Sequence, residues 1–289
     1  MKRTVYNKKI FTTNQIQDIL DMYVNQKISS VKIGKKYGCS HKVILRLLEA
    51  QNIDHSWKPK RKYAINETYF DIIDTPNKAY ILGFLYADGS NCLDKCTVTM
   101  SLQEEDRDIL ERIRREIGSE KPLEYLDYTN KNDGGYTYKN QYRLLLFNKH
   151  MCKSLETVGM IPNKSLKLQF PNIKPELYPH FIRGYYDGDG SVYRQIKNDN
   201  NHAVTLTITS TDEFCKKLVE ISEQYIGIKT NYYDASCHNG VTKVFTISGR
   251  NVVKKFLDWI YQDADLLLKR KHDRYLDYYN LNVNESLTA

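Results

Sequence analysis

Between Thr13 and Asn25 the apolar positions fall at Ile16, Ile19, Leu20 and Tyr23, the spacing of one helical face. A second short helix is expected within Ser29–Cys39 and a third over His41–Ala50, with Val43, Ile44, Leu47 and Leu48 turned inward. Gly34 is small where the last two helices would cross. Gly38 suits a left-handed turn residue, and Ser40 is a good N-cap. A short helix, a glycine-containing turn and a second short helix predict a helix-turn-helix that leaves His41, Lys42, Leu45, Arg46 and Glu49 outward. The basic, proline-containing stretch Trp57–Lys62 reads as a linker.

From about Tyr63 the chain repeats itself with a period near 100 residues. Ala79–Ser90 (AYILGFLYADGS) matches His180–Ser191 (HFIRGYYDGDGS), and both the central glycines and the Asp-Gly pairs are 101 positions apart. Each copy leads into an alternating stretch, Thr97–Leu102 or Val204–Thr209, and then into an acidic helix start at Glu104–Asp106 or Thr211–Glu213. More strand follows at Tyr142–Phe147 and at Val244–Ile247, with another helix after each. The expected fold is α+β: two pseudo-symmetric αββαββα units after a small all-α domain. The expected boundaries are 1–56 for the helical domain, 57–66 for the linker, 67–170 and 171–280 for the two halves, and 281–289 for a tail.

Composition adds three constraints. At 289 residues, 41% apolar and 27% charged, the chain reads as an ordinary globular protein, and most of its 23 tyrosines are expected in the core. Six cysteines occur without a C-x-x-C pair, and Cys92 and Cys96 lack a second pair to complete a zinc site. No signal peptide and no membrane-spanning run is apparent. These features lead to the expectation of a soluble, reduced, intracellular protein, cytoplasmic and nucleoid-associated. No phosphate-binding glycine loop, H-E-x-x-H or Ser/His/Asp set points to another enzyme class.

Charge is distributed unevenly. Residues 1–62 carry 14 Lys/Arg against 4 Asp/Glu, a net of +10, whereas residues 63–289 carry 29 against 31, a net of −2. A basic N-terminal segment is drawn to a polyanion by counterion release. Ser40, His41, Lys42 and Arg46, at the start of the third helix, are therefore expected to contact DNA, with Lys60 and Arg61 along its backbone.

The repeated segments carry the chemistry. Gly83 and Gly184 lie mid-helix, where glycine costs ~1 kcal/mol relative to alanine. Such a cost makes sense where two helices must approach backbone to backbone. Each helix then ends in Asp followed by Gly. Asp88 and Asp189 are thus anions at the negative end of a helix dipole, and pairing the two ends would compound the repulsion. A divalent cation with hard oxygen ligands would relieve it.

With these residues in view, Ile81–Gly89 and Ile182–Gly190 resemble the two nine-residue motifs of the LAGLIDADG homing endonucleases, in the single-chain form. The resemblance covers about residues 63–280. It implies a monomer that needs no protein partner or membrane and makes a double-strand cut in a long DNA site. It also implies Mg²⁺ (or Mn²⁺) held by Asp88 and Asp189, with the carbonyls of Ala87 and Gly188 as further ligands. Gly83 and Gly184 would form the helix interface. The first copy departs from the family at Tyr86, where an acid is common; Asp187 fills that place in the second copy. The family places a lysine near each half-site. By resemblance these are Lys164 and Lys269, with Lys167 and Lys271 as alternatives and Gln103 as a water-ordering candidate. Arg183 is expected at the surface.

Base reading would come from one face of each sheet, with Thr97, Thr99 and Ser101, or Thr205, Thr207 and Thr209, in line. Arg143, Tyr138, Arg194, Gln195 and Lys243 are further candidates. Two rivals share the fold: a non-catalytic DNA-binding regulator and an intron RNA maturase. An intein is disfavoured by a start at Met1 and the absence of a terminal His-Asn.

Overall fold

The computed structural model describes residues 11–55, 62–129, 132–133, 136–161, 164–197, 201–235 and 242–285. Its contacts divide the chain into two compact units, Met1–Lys62 and Tyr63–Ala289.

The first unit holds α1 (Thr13–Val24), α2 (Ser30–Lys36) and α3 (His41–Ala50). Thr12 and Gln15 form a reciprocal capping box at the start of α1. Ser29 caps α2, and the Ser40 hydroxyl accepts from the Lys42 amide at 3.3 Å to start α3. Gly38 adopts φ +62° in the turn, and a Cβ at Gly34 would stand 2.7 Å from the Cys39 carbonyl. Both glycines therefore answer to backbone geometry. Ile19, Met22, Tyr23, Ile33, Ile44 and Leu48 form the core. Leu45, expected outward, packs half-buried against it.

In the second unit an αββαββα order comes twice, with a two-residue strand pair added in the first half and a further helix in the second. The first half runs α4 (Pro76–Asp88), β1 (Gly89–Cys92), β2 (Thr97–Gln103), α5 (Arg107–Glu116), β3 (Glu124–Leu126), a two-residue pair β4 and β5 (Asn132–Asp133, Tyr136–Thr137), β6 (Gln141–Phe147) and α6 (Lys149–Thr157). The second half runs α7 (Tyr178–Asp189), β7 (Gly190–Lys197), β8 (Asn201–Ser210), α8 (Asp212–Ile226), β9 (Asn231–Asp234), β10 (Lys243–Ser248), α9 (Arg250–Tyr261) and α10 (Lys269–Glu285). The two sheets have orders β1-β2-β6-β3 and β7-β8-β10-β9, antiparallel throughout. This is the expected α+β repeat.

Strand alternation gives each sheet one packed and one open face. Val98, Met100, Leu102, Leu144 and Leu146 point to the core of the first half, and Val192, Leu206, Ile208, Phe245 and Ile247 to that of the second. Thr99, Ser101, Gln103 and Arg143 lie on the first open face, and Thr207, Thr209, Tyr193 and Thr246 on the second.

At the centre, α4 packs lengthwise on α7. Every residue from Ala79 to Tyr86 is buried, as is every residue from Phe181 to Asp187. A helix buried all round has no polar face to present to solvent. Its start is set by Thr75, whose hydroxyl accepts from the Lys78 amide, and by Pro76 in the first turn. A Cβ at Gly83 would stand 2.0 Å from the Phe181 carbonyl oxygen, and one at Gly184 would stand 2.0 Å from that of Tyr80. The symmetry of these two contacts is the pseudo-two-fold axis expressed in atoms. Gly89 and Gly190 end the helices in extended backbone, at φ −87° and −78°, and begin β1 and β7 directly. The stop therefore needs no left-handed residue. Glycine is required because a Cβ would approach the Leu85 or Tyr186 carbonyl to 2.6 Å.

Helix propensity and packing make opposite predictions for Gly83→Ala and Gly184→Ala. Propensity alone would stabilise by about 1 kcal/mol, whereas a clash with backbone that cannot swing aside costs about 3 kcal/mol or more. Urea unfolding of the 63–289 unit should show the loss in each variant; a gain in either would mean that the helices are not held this closely.

Candidate active site

The helix pairing brings Asp88 and Asp189 to the same end of the central pair, each one residue before its sheet begins. Gly188 marks how close the ends come: a Cβ there would lie 2.2 Å from the Ala87 Cβ and 3.1 Å from Asp88 Oδ2. One alanine fits between the last turns, and the other position must be glycine.

Both carboxyls remain open to solvent on one side, with protein packed against the other. Desolvation, followed by repulsion from Asp189, pushes Asp88 up to about 6. Desolvation also raises Asp189, partly offset by Lys164 and Lys271. The cluster is thus short of positive charge.

Two lysines sit against the helix ends. Lys164 Nζ donates to the Ala87 carbonyl at 3.0 Å. Lys271 Nζ, buried, donates to the carbonyls of Tyr186, Gly188 and Gly190 at 2.7, 2.9 and 2.6 Å. Burial lowers the pKa of both, that of Lys271 to about 8, against the pull of the aspartates. Their ammonium groups add positive charge and donors to carbonyls at and just past the helix ends, where the backbone dipole is negative.

Lys269 does not reach this cluster. Its side chain is 82% exposed and pairs with Asp273 along α10. Positions 269 and 271 are about 200° apart on a helix, so only one can face inward. Leu268, Lys271, Tyr275 and Tyr279 form the inward stripe, a periodicity that was available in the sequence. Lys167 is exposed. Gln103 lies on the open face and accepts from Lys139 Nζ at 3.0 Å.

Arg183 corrects a second expectation: it is 0% exposed. Its Nε donates to the Leu266 carbonyl at 2.9 Å and its Nη1 to that of Ile260 at 2.8 Å, and the guanidinium lies 5.1 Å from the Tyr80 ring centre. One turn on, Asp187 accepts from the Tyr80 hydroxyl, the Tyr261 hydroxyl and the Leu268 amide at 2.9, 2.8 and 2.7 Å. Burial raises Asp187 to about 6, and these three donors oppose the shift. His180 Nδ1 lies 3.0 Å from Arg183 Nη1, and burial with that cation beside it lowers His180 to about 4.

The N-cap Ser40 and His41, Lys42 and Arg46 of α3 are all exposed. Arg143 stands on the first open face with its Nε and Nη2 on Glu124 at 3.0 and 2.7 Å. Lys243 shares the packed side with Phe245 and pairs with Asp234 and Asp212, and Arg194 shares that side with Val192. Strand parity therefore turns both away from the open face. Lys60, Arg61, Pro162 and Asn163 and the Gln195 side chain lie outside the described residues.

Among the described residues no three His, Cys, Asp or Glu side chains gather as a metal cage. Two solvent-open carboxylates with raised pKa values fit a cation that keeps waters and takes its remaining oxygens from a bound phosphate, as Mg²⁺ does. The Ala87 and Gly188 carbonyls already accept from lysine, so any metal bond there uses their second lone pair.

The elevated Asp88 sets a pH prediction. Its contribution to stability is full below its ordinary value of 3.8 and is lost as the pH rises through about 6. In chelator, Asp88→Asn should therefore melt higher than wild type above about pH 7, with the difference closing below about pH 4. A pH-independent difference would mean that the carboxyl is not under this strain.

Comparison with known proteins bears on this arrangement. Residues 176–261 match the family model for a LAGLIDADG-like domain. The tRNA-splicing ligase RtcB of Pyrococcus abyssi (strain GE5 / Orsay) is 24% identical over 204 residues, 65% of this chain. The chain spans only 22% of that relative's length. Among solved structures, the meganuclease I-SmaMI bound to uncleavable DNA is 12% identical, covers 73% of this chain and 91% of its own, and has a TM-score of 0.49. The homing endonuclease I-GzeII in complex with its DNA target is also 12% identical, with 74% and 92% covered and a TM-score of 0.49. I-LtrWI bound to target DNA is 12% identical, with 77% and 91% covered and a TM-score of 0.46. The segment matched by the family model runs from the start of α7 to the end of α9 and contains Asp187 and Asp189.

Proposed function

We propose that this protein is a site-specific DNA endonuclease that cuts both strands of a long duplex target as a monomer inside the cell. The observation that carries this reading is the pairing of two solvent-open aspartates at a pseudo-two-fold axis, each half contributing a lysine. Two equivalent half-sites on one chain suit the two antiparallel strands of a duplex.

Asp88 and Asp189 hold the divalent cation, Mg²⁺ or Mn²⁺. Bound there, such a cation would activate water and stabilise the leaving oxygen of the phosphodiester. Lys164 and Lys271 lie beside the same carboxylates and supply positive charge where a phosphate would sit. The open faces of the two sheets begin at these helix ends. Thr99, Ser101, Thr207 and Thr209 there offer hydroxyls to base edges, and Arg143 offers a guanidinium. The basic 1–62 unit serves as a second DNA contact through the exposed N-cap Ser40 and His41, Lys42 and Arg46 of α3, and it accounts for the whole positive excess of the chain.

A non-catalytic DNA-binding regulator is the main rival. The retention of both aspartates and both lysines in one cluster favours catalysis, because DNA binding alone needs none of the four.

The test is cleavage of a plasmid carrying the DNA that flanks the gene, rejoined without it. With Mg²⁺ the plasmid should receive defined double-strand cuts, lost with chelator and with Asp88→Asn or Asp189→Asn. Lys271→Ala should slow cutting by about 10²-fold or more, while the exposed Lys269→Ala should leave it at the wild-type rate. Tight binding without cutting would support the regulator instead. Deleting residues 1–62 should weaken binding and flatten its dependence on salt while cutting persists; unchanged affinity would remove that unit from the DNA contact.

A further inference from the structure

Tyr86 and Asp187 occupy the same position in their two helices, two residues before Asp88 and Asp189. Both are fully buried. Their polar atoms turn from the open end of the site towards the backbone that leads to each half's lysine. Asp187 accepts from the Leu268 amide at 2.7 Å, immediately before α10, which carries Lys271. The Tyr86 hydroxyl donates to the Val158 carbonyl at 2.5 Å, at the C-terminal end of α6 and six positions before Lys164.

The second half adds a tie just before that amide. Arg183 Nε holds the Leu266 carbonyl, so residues 266–268 are gripped by a buried base and a buried acid one helical turn apart. Side chains of the first half hold the flanks. Arg112 reaches the carbonyl and carboxylate of Asp265 at 2.9 and 2.8 Å, Asn77 reaches Asp265 at 3.0 Å, and Arg270 bonds both oxygens of the buried Asp106.

Packing alone does not explain this choice of residues. A buried carboxylate is costly unless its hydrogen bonds are satisfied, and an apolar side chain at position 187 would fill the same space. Lys271 supplies the reason. Its Nζ rests on three carbonyls at 2.6–2.9 Å. A shift of α10 by a fraction of a turn would break all three bonds.

We infer that Asp187, aided by Arg183, is a positioning residue that fixes Lys271 against the paired helix ends that carry Asp88 and Asp189, and that Tyr86 does the same for Lys164. Each half-site has its own anchor, one a carboxylate and the other a phenol. The inference rests on the endonuclease reading for its kinetic consequence, but not for its structural one.

Two measurements test it. In the first, each strand of the rejoined flanking DNA carries its own end label, and Lys164→Ala and Lys271→Ala define the strand that each lysine serves. Asp187→Asn should slow the Lys271 strand by about 10²-fold, the scale of a 1 Å misplacement, and leave DNA nicked in the other strand. Tyr86→Phe should give the opposite nick. Equal slowing of both strands, or no strand bias, would reduce both residues to ordinary core and overturn the inference. The second measurement needs no cleavage: amine modification of the full chain without DNA, read lysine by lysine by mass spectrometry. Lys271 should become several-fold more reactive in Asp187→Asn while Lys164 stays as in wild type. An unchanged Lys271 would overturn the inference even if wild type cuts. Released Lys271 with no cutting by wild type would instead sink the endonuclease reading alone. Should Asp187→Asn fail to fold, Tyr86→Phe, which removes a single hydroxyl, puts the same question to Lys164.

Discussion

Close contact between α4 and α7 governs the second unit. Gly83 lies on the Phe181 carbonyl and Gly184 on the Tyr80 carbonyl, at distances that no side chain would allow. Because the two helices touch backbone to backbone, their C-terminal ends come together, and each end carries an aspartate. Because each helix runs straight into a strand, both sheets start from that same end. Wider packing would separate the carboxylates and move the open faces out of register with them. The glycine cost of about 1 kcal/mol per helix is thus offset by burial of the long central stretch of both helices.

A second constraint follows from the first. Two anions at two negative helix ends repel each other, and the chain answers with positive charge delivered from a distance in sequence. Lys164 comes from the loop after α6 and Lys271 from the start of α10. Holding those segments in place requires polar atoms inside the core. Asp187, Arg183, Tyr80 and Tyr261 form such a network across the boundary between the halves. Tyr80 belongs to the first half and the other three to the second, so the network also fixes one half against the other.

Much of this was legible beforehand. The repeat of 101 residues, the mid-helix glycines and the terminal Asp-Gly pairs state the helix pairing, because each is locally unfavourable and makes sense only together with its partner. In the first unit, Gly38 and the N-cap Ser40 mark the turn locally, each suited to its backbone position. Other placements were missed, some of them despite a signal in the pattern. Lys271 rather than Lys269 follows from the Leu268–Tyr275–Tyr279 stripe, which a two-residue shift leaves off phase. Lys243 and Arg194 share parity with Phe245 and Val192 and so lie on the packed side. Arg183 was expected outside because arginine is rarely buried unless paired; its partners are carbonyls from residues 260 and 266, about 80 positions away, which no local pattern reveals.

The central claim is that Asp88 and Asp189 jointly hold a divalent cation. Electron paramagnetic resonance of Mn²⁺ added to the full-length protein with its DNA tests this most directly. The account predicts tight Mn²⁺ binding in wild type, weakened by Asp88→Asn and by Asp189→Asn alike and unaffected by Lys269→Ala. Binding that survives both aspartate substitutions together would place the metal elsewhere and contradict the account.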